Sequence, residues 1–388
     1  MRSPYCRALE PTPGHLLIVA GTRPEAIKLA PIVSALLADG RLPLTVVAAG
    51  QQSLEVSRVF DQWGLYAMHL PQLPSYGHWR AAEREQRHRL RALFRALGAD
   101  AVMVQGDTWS AYAAARAAAE LERPLIHVEA GLRSPDPRDP YPEDALRRLI
   151  SRRTWRHYAP SGSAREALLA EGVDDAQIEV SGSTAVDALR WLLARAQQPT
   201  WEDERVDLMV TLHRRENWDS GLDLVCRALD QVLQERPALR VLWPLHSNTR
   251  LAQRVRDQLG QQPGVRLCEP LPHDQFIARL RACGRILSDS GGVQEELPYL
   301  GAAGLIVRRC SERPQSVASG HARLCAASDP GFAEALRQLL DRDRPARMPF
   351  EQTSPWGDGL AGTRIARSVV AALLARRAPP AQALALPA

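Results

Sequence analysis

Short apolar runs alternate with longer stretches of Ala, Leu and Arg at helical spacing along the whole chain. In the first half the runs are HLLIVAG (15–21), LTVVAAG (44–50), DAVMVQGD (100–107), LIHVEAG (125–131), RHYAPS (156–161) and IEVSGS (178–183). In the second they are VDLMVTLH (206–213), RVLWPLH (240–246), VRLCEP (265–270), RILSDSG (285–291), GLIVR (304–308) and ARLCAA (322–327). The runs show little polar alternation, which predicts strands covered on both faces, as in a parallel sheet. Strand–helix alternation in both halves predicts an α/β fold of two Rossmann-like doubly wound domains facing a central cleft. The expected organisation is an N-terminal extension (1–15), an N-terminal domain (16–196) and a C-terminal domain (206–361), with the polar stretch 194–205 as linker. A helix over 362–377 is expected to cross back to the N-terminal domain, ahead of a frayed tail at 378–388. The Pro- and aromatic-rich stretch 66–80 reads as a loop leading into a helix at 81–97.

Composition narrows the classes. Apolar residues make up 45% and charged residues 24%, the profile of an ordinary soluble protein with ample core. The net charge of +5 comes mostly from dispersed Arg, without a dense basic run or aromatic interleaving, so nucleic acid is not an expected partner. No apolar stretch approaches bilayer length, and the first residues lack the apolar core of a signal peptide. The six cysteines form no C-x-x-C pair and sit mostly in apolar runs, as reduced core residues of a cytoplasmic protein would. No metal-ligand cluster, G-x-S-x-G or H-E-x-x-H is present, and the first strand–helix turn reads G-T-R-P-E where a dinucleotide fingerprint would place glycines.

Position is more informative. In open α/β sheets, ligands bind beyond the carboxyl ends of the strands. Arg23 and Glu25 follow the first strand, Asp107 another, and Glu129 with Arg133 a third. His213 and His246 end strands of the second half, and SDSGG ends one more and leads into a helix near Gly291. Gly291 and Gly292 allow close backbone approach, and the following helix N-terminus offers unpaired N–H groups to a diphosphate. Ser290 can add a hydroxyl donor, and Glu296, about one turn on, can accept from ribose hydroxyls. Arg23 and Arg313 are candidates for bidentate phosphate contact. His213 can donate to a phosphate or act as an acid near neutral pH. Asp107, Glu129 and Glu143, the last opening a helix, are candidates for acid–base work. For each of these taken singly, a helix cap, a surface ion pair or a tight turn is the commoner explanation; their shared position outweighs it.

The segments GTRPEAIKLAPIV, QGDTWSAYAAA, HVEAGLRS…YPEDALRR, SGSTAVDAL, TLHRREN, PLHSN, EPLPHDQFI, SDSGGVQEELPYLG, SERPQ and SPWGDG resemble, in order and spacing, those of non-hydrolysing UDP-N-acetylglucosamine 2-epimerases. The resemblance spans roughly residues 16 to 376. It implies a glycosyltransferase-B-like pair of domains, a homodimer, a UDP-sugar substrate, and no metal or nicotinamide cofactor. It implies C2 epimerisation of UDP-N-acetylglucosamine to UDP-N-acetylmannosamine for surface polysaccharide precursors, through elimination of UDP to a 2-acetamidoglucal and re-addition. By resemblance, Asp107, Glu129 and Glu143 match acid–base positions, and Lys28, Arg147, Phe276, Ser290, Gly291, Gly292 and Glu296 match nucleotide-sugar positions. Arg23, Arg313, His213 and the helix N-terminus would steady the leaving diphosphate.

The chain departs from the family pattern at several points. Gln105 stands where the family has His before G-D-T, and Leu146 where it has Asn. Gln52, Ser53, Ser183 and Gln315 replace a His, an Arg, an Asn and a Glu of the pattern. The glutamine-containing loop that helps bind a second, activating UDP-sugar is missing from 66–80. The alternatives these changes leave open are a modified UDP-amino sugar such as a diacetamido uronate, a hydrolysing relative, or a nucleotide-sugar-binding protein without turnover.

Overall fold

The computed structural model describes residues 14–50, 52–70, 79–136, 141–195, 205–246, 248–350 and 355–377. The expected extension, most of the expected linker, most of the loop at 66–80 and the tail therefore lie outside the described residues. The elements, in chain order, are β1 (His15–Ala20), α1 (Arg23–Asp39), β2 (Leu44–Ala48), α2 (Ser53–Gln62), β3 (Met68–His69), α3 (Trp79–Ala96), β4 (Ala99–Gln105), α4 (Trp109–Glu120), β5 (Leu125–Val128), α5 (Glu143–Ser151), β6 (Arg156–Ala159), α6 (Gly162–Ala170), β7 (Ile178–Val180) and α7 (Thr184–Arg195). There follow β8 (Leu208–Thr211), α8 (Ser220–Glu235), β9 (Val241–Pro244), α9 (Thr249–Leu259), β10 (Val265–Cys268), α10 (His273–Cys283), β11 (Arg285–Ser288), α11 (Gly291–Leu300), β12 (Ala303–Ile306), α12 (Pro314–Ala318), β13 (Ala322–Leu324), α13 (Phe332–Asp341) and α14 (Ala361–Arg377).

Two compact units result. One takes the described residues of Met1–Arg133, Tyr141–Ala188 and Gly359–Ala388; the other takes those of Ser134–Pro140 and Leu189–Asp358. The first unit holds a seven-stranded sheet in the order β3-β2-β1-β4-β5-β6-β7, the second a six-stranded sheet in the order β10-β9-β8-β11-β12-β13. Every pairing is parallel. These are the doubly wound sheets that the apolar runs predict. The sequence order reverses between β1 and β4 in the first sheet and between β8 and β11 in the second, and ligands of such sheets bind beyond the strand ends at that switch point.

Residues of β1 show why these strands read as continuous apolar runs. Leu16, Ile18 and Ala20 enter one core with α1, α2 and α14, while Leu17 and Val19 enter another with α3 and α4. Both sets are fully buried, because alternate side chains point to opposite covered faces. Helix α4 comes very close to the sheet: its face of Ala111, Ala114, Ala115 and Ala118 is buried, and a Cβ on Gly21 would meet Ser110 Cβ at 2.1 Å. Glycine at 21 is what lets the turn after β1 touch the start of α4. Helix α14 packs on α1, where a Cβ on Gly362 would lie 2.9 Å from Pro31 C. Asp187 holds its first turn, accepting from Ala361 N at 3.1 Å and Gly362 N at 2.6 Å.

Two sequence expectations need correction. The stretch 66–80 contains β3, a two-residue edge strand beside β2, which is too short to carry a period of its own. Several strands also stop earlier than their runs suggest. β5 ends at Val128 because Glu129 turns into the left-handed region with φ 62, and β11 ends at Ser288, before the polar Asp289–Ser290.

Candidate functional site

In the first unit the polar turns lie at the switch point and beside it. Thr22 holds the N-cap position of α1 without a side-chain cap bond, and Pro24 lies in the first turn, where its missing N–H costs no helical bond. Arg23 opens the helix half-buried, and its N–H donates to Gln52 Oε1 at 3.2 Å. Glu25 is 1% exposed. One of its oxygens accepts from Gly21 N and Thr22 Oγ1, both at 2.9 Å, and the other from Thr108 Oγ1 at 2.7 Å. Burial pushes its carboxyl up to about 7, against these hydrogen bonds.

Lys28, one turn further along α1, reaches across and ion-pairs with Glu129, although the two are 101 positions apart. Both are buried. The φ of 62 at Glu129 costs backbone energy that a glycine would not incur, and such outliers persist where the surroundings hold them. Asp107, at the end of β4, pairs with Arg147 of α5, a buried guanidinium that also donates to Leu132 O at 3.0 Å. Arg147 Nε is buried without a hydrogen-bond partner. Glu143 opens α5 one turn before Arg147 and is half-buried. Beneath these residues lie His127 and His157, facing each other across β5 and β6. Burial holds them at about 3 and about 4, so both are neutral at ordinary pH.

In the second unit the same position is built around Asp289, which is fully buried. Its carboxylate accepts from His213 N at 2.9 Å, Arg214 N at 3.0 Å and Asn217 Nδ2 at 2.9 Å. His213 is exposed, hydrogen-bonded to Thr211 Oγ1, and its ring lies 5.4 Å from that of His246. Ser290 occupies the N-cap position of α11, with Gly291 and Gly292 as the first helical residues. A Cβ on Gly292 would meet nothing within 4 Å, so there is room beside the second residue of the helix. A Cβ on Gly291 would lie 2.7 Å from Arg313 Nη1.

Arg313 lies beside the start of α11. It is 3% exposed, and its guanidinium donates to Glu295 and Glu312, both at 2.5 Å. Arg308 and Arg214 also donate to Glu312, at 2.9 and 3.2 Å. Buried cations need anionic partners, and these carboxylates absorb the Arg313 charge behind the start of α11. Glu296 is buried and within 3.2 Å of His273 Nε2, while Phe276 is half-buried on the same helix as His273.

The family model for UDP-N-acetylglucosamine 2-epimerase matches residues 34–370. The chain belongs to this family. It is 32% identical to the UDP-N-acetylglucosamine 2-epimerase of Salmonella typhimurium, over 91% of this chain and 98% of that one. The Escherichia coli K12 protein of the same name is also 32% identical, over 90% and 96%. Among solved structures, the Neisseria meningitidis UDP-GlcNAc 2-epimerase bound to UDP-GlcNAc superposes with a TM-score of 0.87 at 29% identity, covering 92% of this chain and all of that one. An S. aureus co-structure with UDP gives 0.86 at 29% identity, over 93% and 97%.

For this epimerase-family chain, the fold joins residues that the sequence reading treated separately: Lys28 with Glu129, Asp107 with Arg147, and Arg313 with the Gly291 turn. It also gives partners to residues beside the motif positions. Asp289 sits inside the quoted SDSGG, and Glu295 precedes Glu296. Thr108 follows Asp107, and Glu25 lies in the first turn. Their signal in the sequence is only adjacency to the motif residues, since no spacing rule announces a partner on another strand.

Proposed function

We propose that this chain interconverts the C2 epimers UDP-N-acetylglucosamine and UDP-N-acetylmannosamine. The observation that carries the reading is that Asp107 and Glu129, beyond adjacent strands, are each held by a cation: Arg147 and Lys28. A C2 proton with no neighbouring carbonyl is weakly acidic, so removal is coupled to loss of the C1 substituent. A carboxylate takes the C2 proton, the C1–O electron pair leaves with UDP, and a C1=C2 double bond remains in 2-acetamidoglucal. Protonation of C2 from the opposite face and return of the UDP oxygen to C1 complete the epimer. Asp107, Glu129 and Glu143 handle the proton as a set. The N-terminus of α11, Ser290, His213 and Arg23 meet the negative charge that grows on the leaving diphosphate. Phe276 and Glu296 serve the nucleoside, and Arg313 braces the Gly291 turn.

The reaction is proposed to run in the cytoplasm in a homodimer and to feed surface polysaccharide synthesis. Proton NMR of UDP-N-acetylglucosamine incubated with the protein in heavy water tests the chemistry. Deuterium at C2 with slow leakage of free UDP is expected, and absence of both removes the proposal. Stoichiometric UDP release would instead identify a hydrolase. Exchange only with another nucleotide sugar would move the substrate to the modified amino sugars that Gln105 and Leu146 bring into question.

A further inference from the structure

Glu25 belongs to a T-x-x-E sequence, and an ordinary capping glutamate would serve only the first turn of its own helix. Here one oxygen does so, through Gly21 N and Thr22 Oγ1. The other accepts from Thr108 Oγ1, which is 83 positions away. Thr108 is the N-cap of α4, accepting from Ala111 N at 3.1 Å, and the residue next to Asp107. The turn carrying Arg23 is thus tied to the turn carrying Asp107, directly over the β1/β4 switch point. Gly21 makes the approach possible, since any side chain there would collide with Ser110. The second unit repeats the device: Asp289, after β11, accepts from the backbone of His213 and Arg214, after β8.

We infer that Glu25 is a positioning residue for the epimerisation, setting the Asp107 carboxylate against the Arg23 turn through its hydrogen bond with Thr108. The inference rests on the function proposed above. Glu25 touches no reacting atom in this role. It spans two loops that would otherwise each settle by themselves, and displacements near 1 Å at a reacting group can cost ~10²-fold in rate.

Glu25→Ala breaks the tie and leaves the α4 cap intact. It is expected to lower kcat about 10²-fold, with KM for UDP-N-acetylglucosamine and affinity for UDP nearly unchanged. Thr108→Val also removes the α4 cap and should lower kcat at least as much, and the double variant should be no worse in kcat than Thr108→Val alone. Glu25→Gln, whose amide can donate to Thr108 Oγ1 while its carbonyl accepts from Gly21 N, and Thr108→Ser, which keeps the hydroxyl, should each restore most of kcat. Parent-like kcat in folded Glu25→Ala overturns the inference. So does a parallel loss of kcat, UDP affinity and Tm that Glu25→Gln fails to restore, which marks a merely structural residue. If the parent itself shows no C2 exchange, the functional reading falls separately. The tie is then judged by a crystal structure of Glu25→Ala: a displaced Asp107–Thr108 turn supports it and an unmoved one removes it.

Discussion

Glu25 gives the molecule an unusual pH signature. Burial raises its folded value to about 7 from the ordinary 4.5. Between those values the folded chain binds more proton than the unfolded chain, so this residue makes stability fall as pH rises through that window. His127 and His157 act with the opposite sign. Burial depresses them to about 3 and about 4, so the unfolded chain binds more proton below 6.5 and their contribution is lost as pH falls. Urea unfolding of the parent and of Glu25→Gln separates the two. The variant should gain stability over the parent between about pH 5 and about pH 8, by up to about 3 kcal/mol; a pH-independent difference would mean that burial does not shift the carboxyl. The Lys28–Glu129 pair calls for a different test. Lys28→Met leaves a buried carboxylate short of its cation and should cost about 3 kcal/mol. Adding Glu129→Leu should recover part of that loss while C2 exchange stays abolished. Recovery of exchange in the double variant would exclude Glu129 from the proton chemistry.

Among the elements, α11 is informative because its first two glycines face different surroundings. Gly291→Ala pushes a methyl group into Arg313, whose guanidinium is fixed by Glu295 and Glu312, and should cost about 1–3 kcal/mol. Gly292→Ala meets no protein atom, so stability should stay within about 1 kcal/mol of the parent. Its added methyl stands where the proposed diphosphate arrives, so UDP affinity should drop. Calorimetric titration with UDP beside thermal melts of both variants checks this; undiminished affinity in Gly292→Ala would place the anion elsewhere. From the sequence, the two glycines looked equivalent. Only the return of Arg313 from beyond β12 distinguishes them, and a residue that far along the chain leaves no local mark.

For the whole molecule, the chain leaves the first unit after Ala188 and returns to it at Gly359. The returning helix α14 contributes Ile365, Val369, Val370 and Leu373 to the core that holds β1 and α1. Truncation before Ala361 would therefore strip one face of that core, and the product should be insoluble or aggregated on size exclusion. Asp187→Ala, which removes the acceptor for Ala361 N and Gly362 N, is a milder form of the same lesion and should cost about 1–2 kcal/mol.

Apolar runs such as HLLIVAG and VDLMVTLH carried the fold class by themselves, because a strand covered on both faces has no polar period to hide it. The ordered motifs likewise put Arg23, Asp107, Glu129, His213 and the Gly291 turn at strand ends, where local chain direction already decides that ligands can reach them. What local pattern could not decide was partnership. Lys28 meets Glu129, Thr108 meets Glu25, and Arg313 meets Glu295 and Glu312. These contacts depend on strand order, which sets β1 beside β4 and β8 beside β11. Burial then requires each charge to find its counterpart across that order. The chemistry-bearing residue types were thus legible in the chain, while their pairing, protonation and accessibility belong to the tertiary structure.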